Sequence, residues 1–85
     1  MTTQKISEPV SVSLSYNSQR QEVFPKWVVW HGRVYPILKV GLHHTYTQGK
    51  TLFHVFSVVS KSIFFRLELN TKTLHWRLES IANDL

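Results

Sequence analysis

The sequence predicts an all-β protein, a six-stranded antiparallel meander that forms a small barrel or a strongly curved sheet. Most of the aromatic and β-branched residues fall between residues 26 and 69. Apolar and polar residues alternate along several short segments, which is the pattern of half-buried strands. Turn signals built on Gly, Asn and Ser separate these segments. A long helix is therefore not expected.

The length of the chain bounds its organisation. Its 85 residues suffice for one domain. We expect a mobile N-terminus over residues 1–8, a single β domain over residues 9–80 and a tail over residues 81–85. The chain has no cysteine, so neither a disulfide nor a thiolate metal site supports the fold. With no visible secretory signal and no apolar run of membrane-spanning length, the expected location is the cytoplasm.

Turn positions predict how the strands pair. Six strands are expected, at residues 10–16, 27–30, 33–46, 52–59, 63–69 and 74–78. His31 and Gly32 form a two-residue turn between the second and third of these, since Gly accepts the positive φ that such turns require. This turn pairs Val29 with Val34. Gly41 marks a bend or bulge in the long third strand.

The same turn positions assign side chains to the two faces of the sheet, because strand residues point alternately to either side. One face is nearly pure apolar and is the predicted core; it collects Trp27, Val29, Val34, Leu38, Val40, Leu42, Phe53, Val55, Val59, Ile63, Phe65, Leu67, Leu69, Leu74, Trp76 and Leu78. The other face mixes aromatic and basic residues. Phe65 and Trp76 are expected to pair within the core.

The mixed face predicts a low-specificity nucleic-acid-binding module. Net charge is +5, and no Asp or Glu occurs from residue 23 to residue 67, so the field of this segment attracts polyanions. Aromatic rings stack on bases and cations meet phosphates, which favours single-stranded nucleic acid. The predicted binding residues are Trp30, Arg33, Tyr35, Lys39, Phe56, Arg66 and Arg77.

A non-enzymatic protein-contact module is the alternative. Exposed apolar patches often mark protein contacts, and Trp30, Phe56 and Phe64 lie on the mixed face. Under this alternative the patch is buried against another chain, most simply a second copy in a homodimer. The alternative explains the aromatic residues, whereas nucleic-acid binding also explains the charge. Neither hypothesis involves a membrane.

Metal binding, a cofactor and catalysis are not expected. His43, His44 and His54 place imidazoles close together, but zinc requires three or four ligands, and Glu68 is the only nearby acid. The sequence contains no recognisable set of nucleophile, base and orienting group. None of the three glycines opens a phosphate-binding loop.

A set of spaced motifs carries a family resemblance over residues 25–78. These are Pro25-x-x-x-x-Trp30-x-Gly32-Arg33-x-Tyr35, Phe53-x-Val55, Phe65-x-Leu67 and Trp76-x-Leu78. They resemble a small bacterial β-domain of unknown function that occurs alone or beside Y-family lesion-bypass DNA polymerases. Val28 and Asn70 depart from that pattern, where an aromatic residue and Asp are expected. The resemblance implies an all-β fold and a role in DNA repair or replication, and it carries no catalytic residues.

Overall fold

The computed structural model describes residues 2–83, which form eight β-strands and no helix. The strands are β1 (Thr2–Pro9), β2 (Ser11–Asn17), β3 (Glu22–Trp30), β4 (Arg33–Pro36), β5 (Lys39–Gln48), β6 (Thr51–Ser60), β7 (Ile63–Asn70) and β8 (His75–Asn83). One antiparallel sheet has the order β1-β8-β7-β6-β5, and the other has the order β2-β3-β4. The all-β prediction is confirmed. The prediction of six strands in a barrel or single curved sheet is wrong, because the strands divide into two open sheets.

The core lies between the two sheets. Val28 from β3 packs with five residues of the larger sheet, Phe56, Val58, Phe65, Leu67 and Leu78. Each of these six side chains is at most 4% exposed. Half-buried residues, among them Trp30 and Trp76, surround this cluster. Burial of a large apolar side chain contributes about 1.5–3 kcal/mol before entropy is subtracted, so this small cluster provides much of the stability.

The chain crosses between the sheets at two points. Val10, between β1 and β2, donates its amide to the carbonyl of Trp76 over 3.3 Å. Between β4 and β5, the amide of Ile37 donates to Lys26 in the smaller sheet, while the next amide, of Leu38, donates to Val59 in the larger sheet. These two bonds measure 2.9 and 2.8 Å. Because of this second crossing, the long strand predicted over residues 33–46 is two strands in different sheets.

Both termini of the chain contribute to the larger sheet. Residues 2–9 form β1, which pairs with β8, where the sequence predicted a mobile terminus. An edge strand has one neighbour, and in β1 only Ile6 packs toward the core, so apolar alternation was absent from its sequence. Strand β8 extends to Asn83, into the predicted tail over residues 81–85; residues 1, 84 and 85 lie outside the described part of the chain.

The β3–β4 hairpin has the predicted residue pairing, but the face that it buries is the opposite of the predicted one. Val29 pairs with Val34 across the two-residue turn, and His31 and Gly32 have φ values of 51° and 73°. However, the face carrying Val28 and Tyr35 points to the core. Pairing determines which residues share a face but not which face is buried, and here both faces are apolar. The face that carries Trp30 and Tyr35 is the one that is buried.

Strand β6 is shifted by one residue from the prediction. Ser60 pairs with Ile63, so the turn contains two residues, whereas the prediction used a three-residue loop. A shift of one residue exchanges the two faces of a strand. Consequently Phe56 and Val58 face the smaller sheet in place of Phe53, Val55 and Val59, although Val55 is buried on the outer face, at 1% exposed. On β7 and β8 the predicted face is correct, although the Cα partner of Phe65 is Ile81 and not Trp76.

The predicted irregularity at Gly41 is present as a shift in the β5–β6 register. Val40 pairs with Val58 and Leu42 pairs with Ser57, so Gly41 has no partner of its own. The extra residue reverses the alternation beyond it. Val40 therefore packs against the core, while Leu42 points away from it and is 56% exposed.

A carboxylate at the end of β1 connects the two sheets. Glu8 Oε1 accepts a hydrogen bond from Trp30 Nε1 at 3.1 Å and lies 2.9 Å from His31 Nε2. The hydrogen bonds from Trp30 and His31 lower the pKa of Glu8. Hydrogen bonds to the charged form of a carboxyl group stabilise that form, so this contact is strongest when Glu8 is ionised.

Phe65→Ala is expected to lower the free energy of unfolding by about 3–5 kcal/mol, the usual range for a buried phenylalanine. Phe65 is 1% exposed and contacts both Trp30 and Tyr35. Phe64→Ala is the matched control, because Phe64 is half-buried on the opposite face. Urea unfolding measures both variants. Equal losses for the two would show that β7 presents the other face to the core.

Glu8→Gln is expected to lower the melting temperature above pH 4.5, the ordinary pKa of this carboxyl group. A lowered folded-state pKa contributes stability that is complete above the unfolded pKa and is lost as pH falls through the folded value. The difference between parent and variant should therefore shrink as the pH falls below 4.5. Thermal melts over a pH series measure this, and a difference that grows on acidification would contradict the assignment.

Candidate nucleic-acid interface

The aromatic residues of the predicted binding set lie between the sheets. The ring centroids of Trp30 and Tyr35 are 6.4 and 5.1 Å from that of Phe65. Phe56 is 4% exposed, and its ring lies 5.8 Å from that of Trp76. These three residues are therefore structural, and the apolar contact patch predicted at Trp30, Phe56 and Phe64 does not exist as one surface.

Three of the predicted basic residues lie together on the larger sheet. Lys39, Arg66 and Arg77 are exposed and point away from the core, on the side opposite the smaller sheet. Arg33 lies on the smaller sheet, beside the β3–β4 turn, and pairs with Trp30. The structure thus separates the predicted binding set: three cations share one surface, and the aromatic partners assigned to them are elsewhere.

Other residues complete that surface, which we call the outer basic face. We define it by the cations Lys5, Lys39, Arg66 and Arg77 and by the rings of Tyr46, Phe53 and Phe64. Partners across antiparallel strands share a face, and one transverse row of the face reads Lys5, Ser80, Arg66, Ser57, Leu42. The row beside it reads Thr3, Ala82, Phe64, Val59, Lys39.

Two stacked rings lie at one end of the outer basic face. Tyr46 and Phe53 are cross-strand partners, and their rings stack with centroids 4.9 Å apart and planes 9° apart. Tyr46 is 38% exposed. Beneath this end, Val55 is 1% exposed, so the side chains around it cover the sheet backbone. The two rings cover each other's facing surfaces, so a planar base can stack only on the outer side of the pair, at the exposed Tyr46 of the edge strand β5.

Two carboxylates, those of Glu68 and Glu79, reduce the positive charge of the outer basic face. Burial, followed by the neighbouring carboxylate of Glu68, raises the pKa of Tyr46 to about 12, so the phenol is neutral at physiological pH. Arg77 Nε lies 3.8 Å from Glu79 Oε1, and Arg77 Nη2 also donates to Ser7. Lys5, Lys39 and Arg66 belong to neither ion pair found among residues 2–83, and they remain available to an anionic ligand.

A cleft opens beside the outer basic face. It has a volume of about 640 Å³, and its walls include Phe53, Glu68 and Arg77 together with Val12 and Trp76. It lies where β1 ends at Pro9 and leaves the first residues of β8 without a neighbour on that side. The surface therefore combines an open sheet with a concave end.

Several residues of this face were missed from the sequence. Lys5 lies in the predicted mobile terminus, and Phe53 was assigned to the core. The two-residue turn at Lys61 and Ser62 was the signal that would have placed Phe53 outside, since it determines the register of β6. For Lys5 the sequence contains no local signal, because its position depends on pairing with the distant Ser80.

The histidines do not assemble a metal site with three ligands. Within residues 2–83, no group of three or more His, Cys, Asp and Glu side chains is arranged to hold a metal ion. In the same part of the chain, no helix is present that could cross a membrane.

Comparison with protein-family models, curated proteins and solved structures yields no match for this chain. The resemblance to the domain found beside Y-family polymerases therefore stays a prediction.

Proposed function

We propose that the outer basic face binds single-stranded nucleic acid with low sequence specificity. The observation that carries this proposal is the interleaving of four exposed cations with three aromatic rings on a sheet face that the smaller sheet leaves uncovered. The function is the one expected from the sequence, but the residues differ. Lys39, Arg66 and Arg77 remain, whereas Lys5, Tyr46, Phe53 and Phe64 take the place of the others.

The rows of the outer basic face suit a flexible strand. Lys5 and Arg66 lie two strands apart in one row, a distance of about 10 Å at the usual spacing of neighbouring strands. Phe64 and Lys39 lie in the adjacent row, so rings and cations alternate over the face. Cations in this arrangement contact phosphates of any sequence, and rings stack on any base. Single strands are favoured over duplexes because only unpaired bases present free ring faces.

Glu68, Glu79 and the adjacent cleft determine where on the face phosphates and bases are expected to bind. Glu68 and Glu79 reduce the positive field near Arg77, so the strongest phosphate contacts are expected at Lys5, Lys39 and Arg66. The cleft bounded by Phe53 and Arg77 provides a concave end where a base can leave the sheet surface. We place the protein in DNA repair or replication on the basis of the sequence resemblance alone.

Arg66→Ala is expected to weaken binding to all single-stranded sequences and to reduce the salt dependence. Loss of one phosphate contact reduces the log–log slope by about 0.7. Tyr46→Ala should weaken binding with little change in slope, because stacking releases no counterions. Fluorescence anisotropy with labelled single-stranded and duplex oligonucleotides at several salt concentrations measures both effects.

Arg33→Ala is the matched control for Arg66→Ala. It removes the same charge from an exposed position on the other sheet, so its effect on the slope should be smaller. If Arg33→Ala weakens binding more than Arg66→Ala, the interface is on the smaller sheet. If no oligonucleotide binds at low salt and micromolar protein, nucleic-acid binding is excluded.

The outer face of the smaller sheet supports a second function, contact with another protein. Trp27 pairs with Pro36 and Val29 with Val34 on this face, and Trp27 and Val34 are 40% and 61% exposed. Four apolar residues thus form a largely exposed patch, over part of which Lys26 Nζ lies 5.7 Å from the centroid of the Trp27 ring. Such patches mark protein contacts, and self-association into a symmetric pair is the simplest form. This is the predicted alternative function, moved to a different face.

Val34→Glu is expected to shift any dimer to monomer, because it places a charge in the centre of the apolar patch. Multi-angle light scattering over a range of protein concentrations measures the mass. Gln48→Glu adds the same charge at an exposed position on the larger sheet and should leave the mass unchanged. A parent protein that is monomeric at every concentration would exclude self-association.

A further inference from the structure

A second, larger cleft lies on the inner side of the molecule, away from the outer basic face. Its volume is about 830 Å³, within the range of small-molecule sites. One wall is the β2–β3 hairpin, including Arg20, Glu22 and Phe24, and the other is the inner face of the larger sheet. The cleft remains open because the hairpin end extends past the part of the sheet that the core fills.

The sheet wall of this cleft is a row of aromatic rings. His43 and Phe56 are cross-strand partners, and their rings stack with centroids 4.1 Å apart and planes 10° apart. The ring of His54 lies 5.0 Å from that of His43 and within 17° of the plane of Phe56. Trp76 continues the row at 5.8 Å from Phe56. Phe56 itself is 4% exposed because His43 stacks on it, so a flat ligand entering the cleft meets the exposed ring of His43 and the half-buried rings of His54 and Trp76.

The two imidazoles act as a hydrogen-bonded pair. His43 Nε2 and His54 Nδ1 lie 2.7 Å apart, so one nitrogen donates its proton to the other. Burial, followed by the neighbouring His54 and His44, lowers the pKa of His43, which favours the neutral form of that ring at pH 7. Two imidazoles joined in this way, when both are neutral, retain one N–H donor and one lone pair for a third molecule. The pair thus adds specific polar contacts to an apolar wall.

Two side chains of opposite charge mark the hairpin side. Arg20 and Glu22 both line the cleft and are exposed. Neither belongs to an ion pair within the described residues. Backbone amides of the hairpin turn, those of Gln19 and Arg20, bond to Asn17 Oδ1 at 3.0 and 3.2 Å, which gives the backbone that carries Arg20 a defined position.

We propose that this cleft binds a small, planar heteroaromatic molecule that carries an anionic group. The ring packs against the exposed His43 and the half-buried Trp76, and the imidazole pair bonds to heteroatoms of the ring. The anionic group lies at Arg20. Aromatic walls with a few convergent polar groups are the usual composition of small-molecule sites. This site is separate from the proposed nucleic-acid interface, since the two lie on opposite faces of the larger sheet.

Ligands with this chemistry come from two sources, and the experiment separates them. The probes are adenosine monophosphate, a nucleotide, and indole-3-acetate, an aromatic acid, with adenosine as the uncharged counterpart of the first. Calorimetry measures affinity, and NMR chemical shifts of the His43 and His54 rings report occupancy of the cleft. We expect saturable binding of at least one anionic probe, with shifts at both imidazoles.

Arg20→Gln and Glu22→Gln form a pair of variants with opposite expected signs. The first should weaken the anionic probe about three- to fivefold and the second should strengthen it by a similar factor, as for exposed charge pairs. Binding of adenosine should be insensitive to both. His54→Phe keeps a ring but removes the polar contacts, so it should weaken all probes about two- to tenfold. His75→Phe, outside this cleft, should have no effect.

Three outcomes with the parent protein and the Arg20→Gln variant would overturn the proposal. These are absence of saturable binding of both anionic probes at millimolar concentration, binding that Arg20→Gln does not weaken, and binding without shifts at His43 and His54. Arg66→Ala should leave the affinity for adenosine monophosphate unchanged. A parallel loss in Arg66→Ala would place the nucleotide on the outer basic face and also count against the cleft.

Discussion

The adjacent amides of Ile37 and Leu38 hold the two sheets in a defined relation. Successive amides point to opposite sides of an extended chain, and here each donates to a different sheet. Tyr35, two residues before this corner, packs on Phe65, and Val40, two residues after it, packs on the same core. The smaller sheet therefore cannot slide over the larger one without breaking one of these bonds. Corners of this kind are typical where strands change sheets.

Local chemistry explains which parts of the fold were predictable. The His31–Gly32 turn, the bulge at Gly41 and the turn at Asn70 depend on residues adjacent in sequence. Asn70 accepts from the amides of Lys72 and Thr73, as an asparagine in a turn does. The burial of Phe65 and Leu67 was also predicted, because the charged Arg66 and Glu68 leave β7 only one apolar face.

The remaining parts of the fold depend on packing between residues that are distant in sequence, and the sequence did not predict them. On β3 and β4 both faces are apolar, so alternation could not show that Val28 is buried and Trp27 exposed. The location of Lys5 depends on a pairing between the two ends of the chain. For the outer basic face, the sequence predicted the type of surface and three of its cations. Phe53 was assigned to the core because a one-residue change in the β6–β7 turn exchanges the faces of β6, whereas Phe64 was already placed on the mixed face.

Both faces of strand β6 contribute to a candidate binding surface. Its inward residues include Phe56 and His54, which line the inner cleft, and its outward residue Phe53 stacks on Tyr46. A domain of this size has few buried residues in proportion to its surface, so central strands contribute to the core and to both candidate binding surfaces. Substitutions that alter the twist of β6 will therefore affect the two surfaces together.

The unpaired Gly41 lets β5 vary in length at one point without a change of face. A Cβ at this position would meet the Ser57 carbonyl oxygen at 3.5 Å, an ordinary contact, so alanine fits there. Deleting Gly41 would leave Val40 inward, Leu42 outward and His43 inward, because these three residues already pair with Val58, Ser57 and Phe56, which are consecutive in β6. A deletion within residues 42–48 has no bulge to absorb it and would exchange the faces of the residues on one side of it. Related chains that keep both surfaces should therefore tolerate the loss of a residue at position 41 but not within residues 42–48.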